Sequence, residues 1–337
     1  MTADTAKWGL IGHEAAVERL RTMVQARRFP PAILVTGAPQ SGRSTLARRF
    51  AAAAICPNAV AGSACGVCNA CRSIDSGTHP DVTTWSVATQ EIERGANKSG
   101  ALTIESVRAL SASTALRPRD AERRFAIVED AEMMLEPAQQ ALLKTLEDVP
   151  GYMTIVLIAT QAVSLLETIR SRCVEIALQL VPTERIARTI DGPNADEIAR
   201  LAVGRPGWAL SAGQDSAMVE REKSRVAAVE RWMSGGQRAR LIEAYQRGDR
   251  FYKDRDAVLA DLATAHIAWR DVLFACVGAP NLAIDPDRGV RLLIAPYLNA
   301  AEVLIAIRAI EQCNRDLPGN VRPRLALQAM VNTWPTL

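Results

Sequence analysis

AILVTGAPQSGRST, residues 32–45, is the stretch whose reading decides the fold. Its first five residues, Ala32 to Thr36, form a continuous apolar run, as expected of a parallel strand covered on both faces. Gly37 to Ser44 then follows the form G-x4-G-[basic]-[Ser/Thr] of a phosphate loop, in which backbone N–H groups and a helix N-terminus surround a polyphosphate. Gly37, Gly42, Ser44 and Thr45 fit that form, and Ser44 is of the right type to ligate Mg²⁺. Arg43 departs from it: the motif uses lysine as a compact point charge, whereas a guanidinium is a bulkier planar fork that aims its donors differently. Two readings of the loop therefore stand, a nucleotide-binding loop for ATP or ADP and a strand-to-helix turn that merely kept the shape.

Working outward, residues 14–28 place Val17, Leu20, Met23 and Val24 on one helical face until Pro30-Pro31 breaks the pattern. A helix is expected from Leu46 to about Ile55. Further strands are predicted at Val82–Val87, Arg124–Val128 and Thr154–Ala159, with another apolar run at Val174–Leu178. Helices are predicted from Ile104 to about Leu116 behind a Thr103 cap, over Pro137–Leu146 and over Leu165–Ile169, and residues 88–102 read as loop. Strands alternating with helices imply right-handed βαβ crossovers, hence an α/β three-layer sandwich with a parallel sheet over residues 1–180. Beyond Pro182 the strand signals stop. Residues 181–213 read as a small helical unit punctuated by Gly204-Arg205-Pro206-Gly207, and 214–337 as amphipathic helices of mixed charge.

A chain of 337 residues is long enough for two or three domains with cores of their own. Its net charge of +3 lacks the signature of a strong autonomous nucleic-acid binder. The N-terminus has no apolar signal core and no run approaches the ~18 apolar residues of a membrane span, so the expected setting is cytoplasmic, with no membrane contact. Seven cysteines agree with a reducing compartment.

Four of those cysteines, Cys56, Cys65, Cys68 and Cys71, fall within sixteen residues at C-x8-C-x2-C-x2-C spacing. Two-residue gaps let neighbouring thiolates turn onto one tetrahedral Zn²⁺. Metal-free burial as small hydrophobes suits isolated cysteines, but Gly62, Ser63, Gly66 and Asn69 between these four suit a tight knuckle better than a core helix or strand. Four thiolates leave no open coordination position, so the zinc is read as structural.

The Glu129-Asp130 pair ends a predicted strand, where a P-loop ATPase holds Mg²⁺ and polarises water. Such sites generally carry aspartate first and glutamate second, so the order here argues with Arg43 for a weakened or absent ATPase. Thr160 ends the next strand, where a polar residue senses the γ-phosphate; an ordinary strand-end threonine is the other reading. Arg117, Arg119, Arg123 and Arg124 read first as a solvated loop, with DNA contact the alternative, and His13, His79 and His266 are assigned no chemistry.

Ser171-Arg172-Cys173 is weak alone. Joined to the phosphate loop, the cysteine knuckle and the segment QQALLKTLED, residues 139–148, it resembles the bacterial clamp-loader family of AAA+ proteins, over essentially the whole chain and most firmly over residues 8–180. The resemblance implies that Trp8 to His13 lie over an adenine pocket, that the four cysteines are the family's zinc module, and that Arg172 is an arginine finger acting across a subunit boundary. It also implies a helical lid over 181–213 and collar helices over 214–337 that hold a ring together. Partners follow from it as well: gamma/tau and delta subunits in a pentamer, and through them a sliding clamp and primed DNA. Gly207 stands where an ATP-hydrolysing member should carry a sensor arginine, with Arg205 out of register. A chain that keeps the outgoing finger and erodes its own site fits a stator subunit of this family. The competing readings are an ATP-hydrolysing subunit of the gamma/tau kind and, from another class, a zinc-dependent DNA-binding module.

Overall fold

The computed structural model describes residues 8–89, 101–292, 298–317 and 321–335. Most of the 88–102 loop, and the start of the chain as far as residue 7, lie outside the described residues. The chain divides into two compact units, the first ending at Ser211 and the second beginning at Ala212.

The first unit carries helix α1 (Glu14–Gln25), strand β1 (Ala32–Thr36), α2 (Arg43–Ile55), α3 (Asn69–Asp75), β2 (Val82–Trp85), α4 (Ile104–Thr114), β3 (Arg124–Val128), α5 (Glu136–Glu147), β4 (Met153–Ala159), α6 (Glu167–Arg170) and β5 (Val174–Ala177). The strands make one five-stranded sheet in the order β2-β3-β4-β1-β5, every neighbouring pair parallel. β1 sits between β4 and β5, with Leu34 opposite Leu157 and Glu175.

Successive side chains of a strand point to opposite faces, so a strand without a polar alternation must be covered twice. Ile33 and Val35 of β1 join Phe125, Ile127, Val156, Ile158 and Ile176 beneath α1 and α2, packed on Val17, Leu20, Leu46 and Phe50. Ala32 and Leu34 join Ala126, Val128, Ile155 and Leu157 on the other face, packed on Leu110, Leu142 and Leu146 of α4 and α5. Each fully buried Leu, Ile or Phe contributes about 1.5–3 kcal/mol before conformational entropy is subtracted. The three-layer α/β sandwich is thus the observed architecture.

Two boundaries differ from the sequence reading. β2 ends at Trp85 rather than Val87 because Ser86 and Thr89 exchange hydrogen bonds, Ser86 N donating to Thr89 Oγ1 at 2.8 Å and Thr89 N to Ser86 Oγ at 3.0 Å, which turns the chain out of the sheet. The cysteine knuckle contains α3, a short helix whose N-cap is Cys68, its Sγ accepting from Cys71 N. Arg124 is not on a solvated loop either: it is buried at the start of β3, donating to the Ser113 and Leu116 carbonyls.

After the sheet come α7 (Thr183–Ala187), α8 (Ala195–Ala202) and α9 (Pro206–Ala212), whose α9 begins in the first unit. The second unit holds α10 (Ser216–Ser234), α11 (Gln237–Arg250), α12 (Arg255–Cys276), α13 (Pro286–Leu292), α14 (Ala300–Asp316) and α15 (Pro323–Asn332). Asp215, Asp254 and Asn299 cap α10, α12 and α14, the last through a capping box with Glu302. Its core gathers Trp232, Trp269 and Trp334 with Val258, Leu262, Ile310 and Leu327. Among the described residues no helix is long and apolar enough to cross a membrane.

Candidate functional site

Parallel strands all end on the same edge, so the loops after β1, β3 and β4 converge there. The phosphate loop follows β1, Glu129 and Asp130 follow β3, and Thr160 follows β4, the Gly37 N–H donating to the Thr160 carbonyl at 3.2 Å. Sequence and structure agree that these residues share one locality.

What they do there was not visible in the motifs. Arg43 reaches across to Thr160, its Nη1 lying 3.5 Å from the Thr160 Oγ1 that accepts from it. Thr160 Oγ1 in turn donates to Glu132 Oε1 at 2.6 Å, and the Thr160 N–H donates to the same oxygen at 3.1 Å. Glu132, one turn beyond the predicted acidic pair, is therefore the carboxylate that grips this corner, and sequence reasoning missed it. Burial lowers the Arg43 pKa while Glu132, Asp130 and Glu129 raise it in opposition; a guanidinium is basic enough to stay charged throughout. Partial burial, then the crowding of Glu132 and Glu129, push the Asp130 carboxyl above its ordinary value, with Arg43 pulling the other way. Asp130 also adopts a left-handed conformation (φ 54°) as it turns into a short 3₁₀ segment.

The chain's own atoms press on the loop from two sides. Gly42 caps α2 at φ 102°, and a Cβ there would lie 2.8 Å from Leu10 Cδ2, so the N-terminal segment fills the space beside the loop's second glycine. Gly207 donates its N–H to the Gln40 carbonyl at 2.9 Å, and a Cβ on it would meet that oxygen at 2.7 Å. Close approach of α9 is thus the reason for glycine where a sensor arginine was sought. Arg205 lies over the Trp208 ring at 5.7 Å and donates to the Ala202 carbonyl. His13, given no chemistry from sequence, holds the loop's Ser41 carbonyl at 3.0 Å through Nε2, which must then carry the proton, and burial lowers its pKa. The backbone of the loop and Ser44 and Thr45 at the head of α2 suit a phosphate, while Arg43 is turned towards Thr160, and Thr160 towards one oxygen of Glu132, whose other oxygen is buried without a partner among the described residues.

The four cysteines do converge. Their Sγ atoms lie within 4.8 Å of one another, with Cys56–Cys68 at 3.8 Å and Cys65–Cys71 at 3.9 Å. Zn–S bonds of ~2.3 Å put the edges of an S₄ tetrahedron at about 3.8 Å, so the donor set fits a tetrahedral metal. The N–H groups of Cys65, Cys68 and Cys71 donate to the sulfurs of Cys56, Cys65 and Cys68, at 3.4, 3.4 and 3.5 Å, which favours the thiolate form. Backbone donors from Val67 and Cys68 bring the Cys65 pKa down to about 6, whereas burial raises Cys56 and Cys71. The cluster is tied to the N-terminal segment by a buried hydrogen bond from Trp8 Nε1 to Ser63 Oγ at 3.1 Å. Trp8 therefore faces the knuckle.

Arg172 lies on the turn after α6 and is exposed. Buried Gln139 of α5 accepts from the Leu166 N–H at 2.9 Å at the start of that helix, and fully buried Ile169 anchors its middle. Arg172 Nη1 donates to the Thr168 carbonyl at 3.0 Å and Nη2 to Glu147 Oε1 at 2.7 Å. Cys173 beside it is half-buried, its thiol pushed up to about 11 by burial, so it is an inert neighbour.

A parallel sheet in this order, with a phosphate loop after its first strand, an acidic end after the third and a helical C-terminal region, defines an AAA+ protein of the P-loop class. A family model described as DNA polymerase III, delta subunit matches residues 12–182, and the chain belongs to that family. It is 32% identical over 185 residues to DNA polymerase III subunit delta′ of Pseudomonas aeruginosa, covering 54% of each chain. To the subunit delta′ of Escherichia coli it is 30% identical over 212 residues, 61% of each chain. It is also 26% identical over 182 residues to subunit tau of Salmonella typhimurium, covering 54% of this chain and 27% of that one. The chain thus spans a little over half the length of the delta′ relatives it matches.

Proposed function

We propose that this chain is the delta-prime stator of a bacterial DNA polymerase III clamp loader: it donates Arg172 to a neighbouring subunit's ATP site and hydrolyses little or no ATP itself. It works in the cytoplasm in a ring with gamma/tau and delta subunits that opens a sliding clamp and places it on primed DNA. Residues 181–213 serve as the lid and 214–337 as the collar of that ring. Cys56, Cys65, Cys68 and Cys71 hold one structural Zn²⁺, which fixes the knuckle and takes no part in chemistry.

The observation that carries this reading is a contrast within one unit. An exposed guanidinium sits on a turn anchored by Gln139 and Ile169, while the chain's own loop is flanked by Leu10 and Gly207 and its Arg43 is engaged with Thr160. A finger stabilises charge on the transferring phosphoryl and is worth about 10³–10⁵ in rate at the site it serves. Arg172→Ala in the reconstituted complex should silence that one site and slow clamp loading, with assembly and fold unchanged. Arg172→Lys should rescue little, because one ammonium cannot reproduce the fork. Complexes carrying Arg172→Ala that hydrolyse ATP and load clamps at the unmodified rate would overturn the assignment.

A further inference from the structure

We propose that Glu147 is a positioning residue for the finger: its carboxylate, together with the Thr168 carbonyl, holds the Arg172 guanidinium at the surface in the orientation that meets a neighbour's phosphate. The inference rests on the reading of Arg172 as a finger.

An arginine on a surface turn is a poor finger by default, since its side chain carries rotamer entropy that must be lost at each encounter. Here the loss is already partly made. Nη2 is held by Glu147 Oε1 at 2.7 Å and Nη1 by Thr168 O at 3.0 Å, from two different elements, so the plane of the guanidinium is fixed as well as its position. Among the described residues two of its five N–H donors are engaged in this way, which leaves others for an incoming oxyanion.

Glu147 is an unlikely resident of its position on local grounds alone. It is the last residue of α5, where the helix macrodipole is negative and a carboxylate is disfavoured. Pairing with Arg172 offsets that cost. The same helix also sets the start of the finger-bearing segment, because Gln139 takes the Leu166 N–H while its own Nε2 donates to Met134 O at 3.0 Å. α5 therefore places the turn at one end and orients the guanidinium at the other. The side chains of Arg172 and Glu147 are 38% and 53% exposed, so the pair is solvated and contributes little to folding stability; its effect lies in orientation.

The test uses the full reconstituted complex with this chain as Glu147→Ala, Glu147→Gln, Arg172→Ala and the Glu147→Ala/Arg172→Ala double variant, reading kcat and KM for ATP and subunit assembly. Glu147→Ala should lower turnover at the one site that Arg172 serves about fivefold, the rate equivalent of the ~1 kcal/mol at the upper end for an exposed pair, and the complex's kcat by that site's share, with KM and assembly unchanged. Glu147→Gln keeps an acceptor oxygen and should restore most of the loss, and the double variant should match Arg172→Ala alone. If Arg172→Ala has no effect, the finger reading fails first and this one with it. If Arg172→Ala is impaired but Glu147→Ala runs at the unmodified rate, only the positioning role is overturned. A faster Glu147→Ala complex would also overturn it, since the carboxylate would then be restraining the finger.

Discussion

Asp81 offers the sharpest test of how the α/β unit is held together. It lies just before β2, 1% exposed, and accepts three backbone hydrogen bonds from one loop: Arg119 N at 2.8 Å, Asp120 N at 2.8 Å and Ala121 N at 2.9 Å. The buried Arg124 Nε stands 3.8 Å from its Oδ1. Burial by itself would raise the Asp81 pKa, but the three N–H donors, helped by His79, outweigh it and hold the carboxyl below its ordinary value. Replacing Asp81 with alanine removes the acceptor for those donors and the counter-charge of Arg124. Breaking a buried pair on one side costs about 3–5 kcal/mol, and Arg124's other bonds, to Ser113 O and Leu116 O, place this site at about 3. Asp81→Asn keeps one acceptor and the shape, for a loss of about 1–2 kcal/mol. The sign of the pH effect follows: a depressed carboxyl stabilises the fold fully above its unfolded value of about 3.9, and that stability is lost as pH falls through the lower folded value. Urea unfolding of the α/β unit at pH 7 and across the acid range reads both effects. A shift below ~1 kcal/mol for Asp81→Ala at pH 7, or an acid limb as steep as that of the unmodified chain, would refute the reasoning.

The knuckle should carry about one zinc per chain, and Cys68→Ser should lose the metal and loosen residues 56–75 while the sheet survives, as read by metal analysis and hydrogen exchange. A folded, zinc-free protein whose four knuckle thiols all react freely would contradict this. The isolated chain should show negligible ATP turnover, and Arg43→Lys should not create it, because Glu132 and Thr160 remain paired and Gly207 has no room for a side chain beside Gln40. Steady hydrolysis by the unmodified monomer, measured as phosphate release, would rule that out.

Much of the sheet was legible because its signal is local. Ala32 to Val35, Phe125 to Val128 and Ile155 to Ala159 are unbroken apolar runs, and such runs at these lengths between helical patterns admit few arrangements. The cysteines were legible for a related reason, since their spacing limits where the sulfurs can go. Glu132 was not: its partner Thr160 is brought to it by the pairing of β3 with β4, and nothing in the intervening sequence announces that contact. The contacts of Leu10 with Gly42 and of Gly207 with Gln40 are likewise long-range approaches to a glycine with no motif of their own. Glu147 stood inside a quoted segment, but its bond to Arg172 spans 25 residues and depends on how α5 packs against α6.

The short strap from Trp8 to His13 touches the knuckle through Ser63, the second glycine of the loop through Leu10, and the Ser41 carbonyl through His13. That common wall changes what sequence drift can do to this corner. A loop under no catalytic constraint is usually free to wander, yet here Gly42 is demanded by its own φ and by Leu10, and the backbone at Ser41 is held by His13, whether or not a phosphate ever arrives. The outline of a nucleotide motif can therefore outlive its chemistry for reasons of fit alone. For a chain of this architecture, an intact glycine pattern is evidence of a packed corner, and only the charged residues around it speak to whether the corner still turns over ATP.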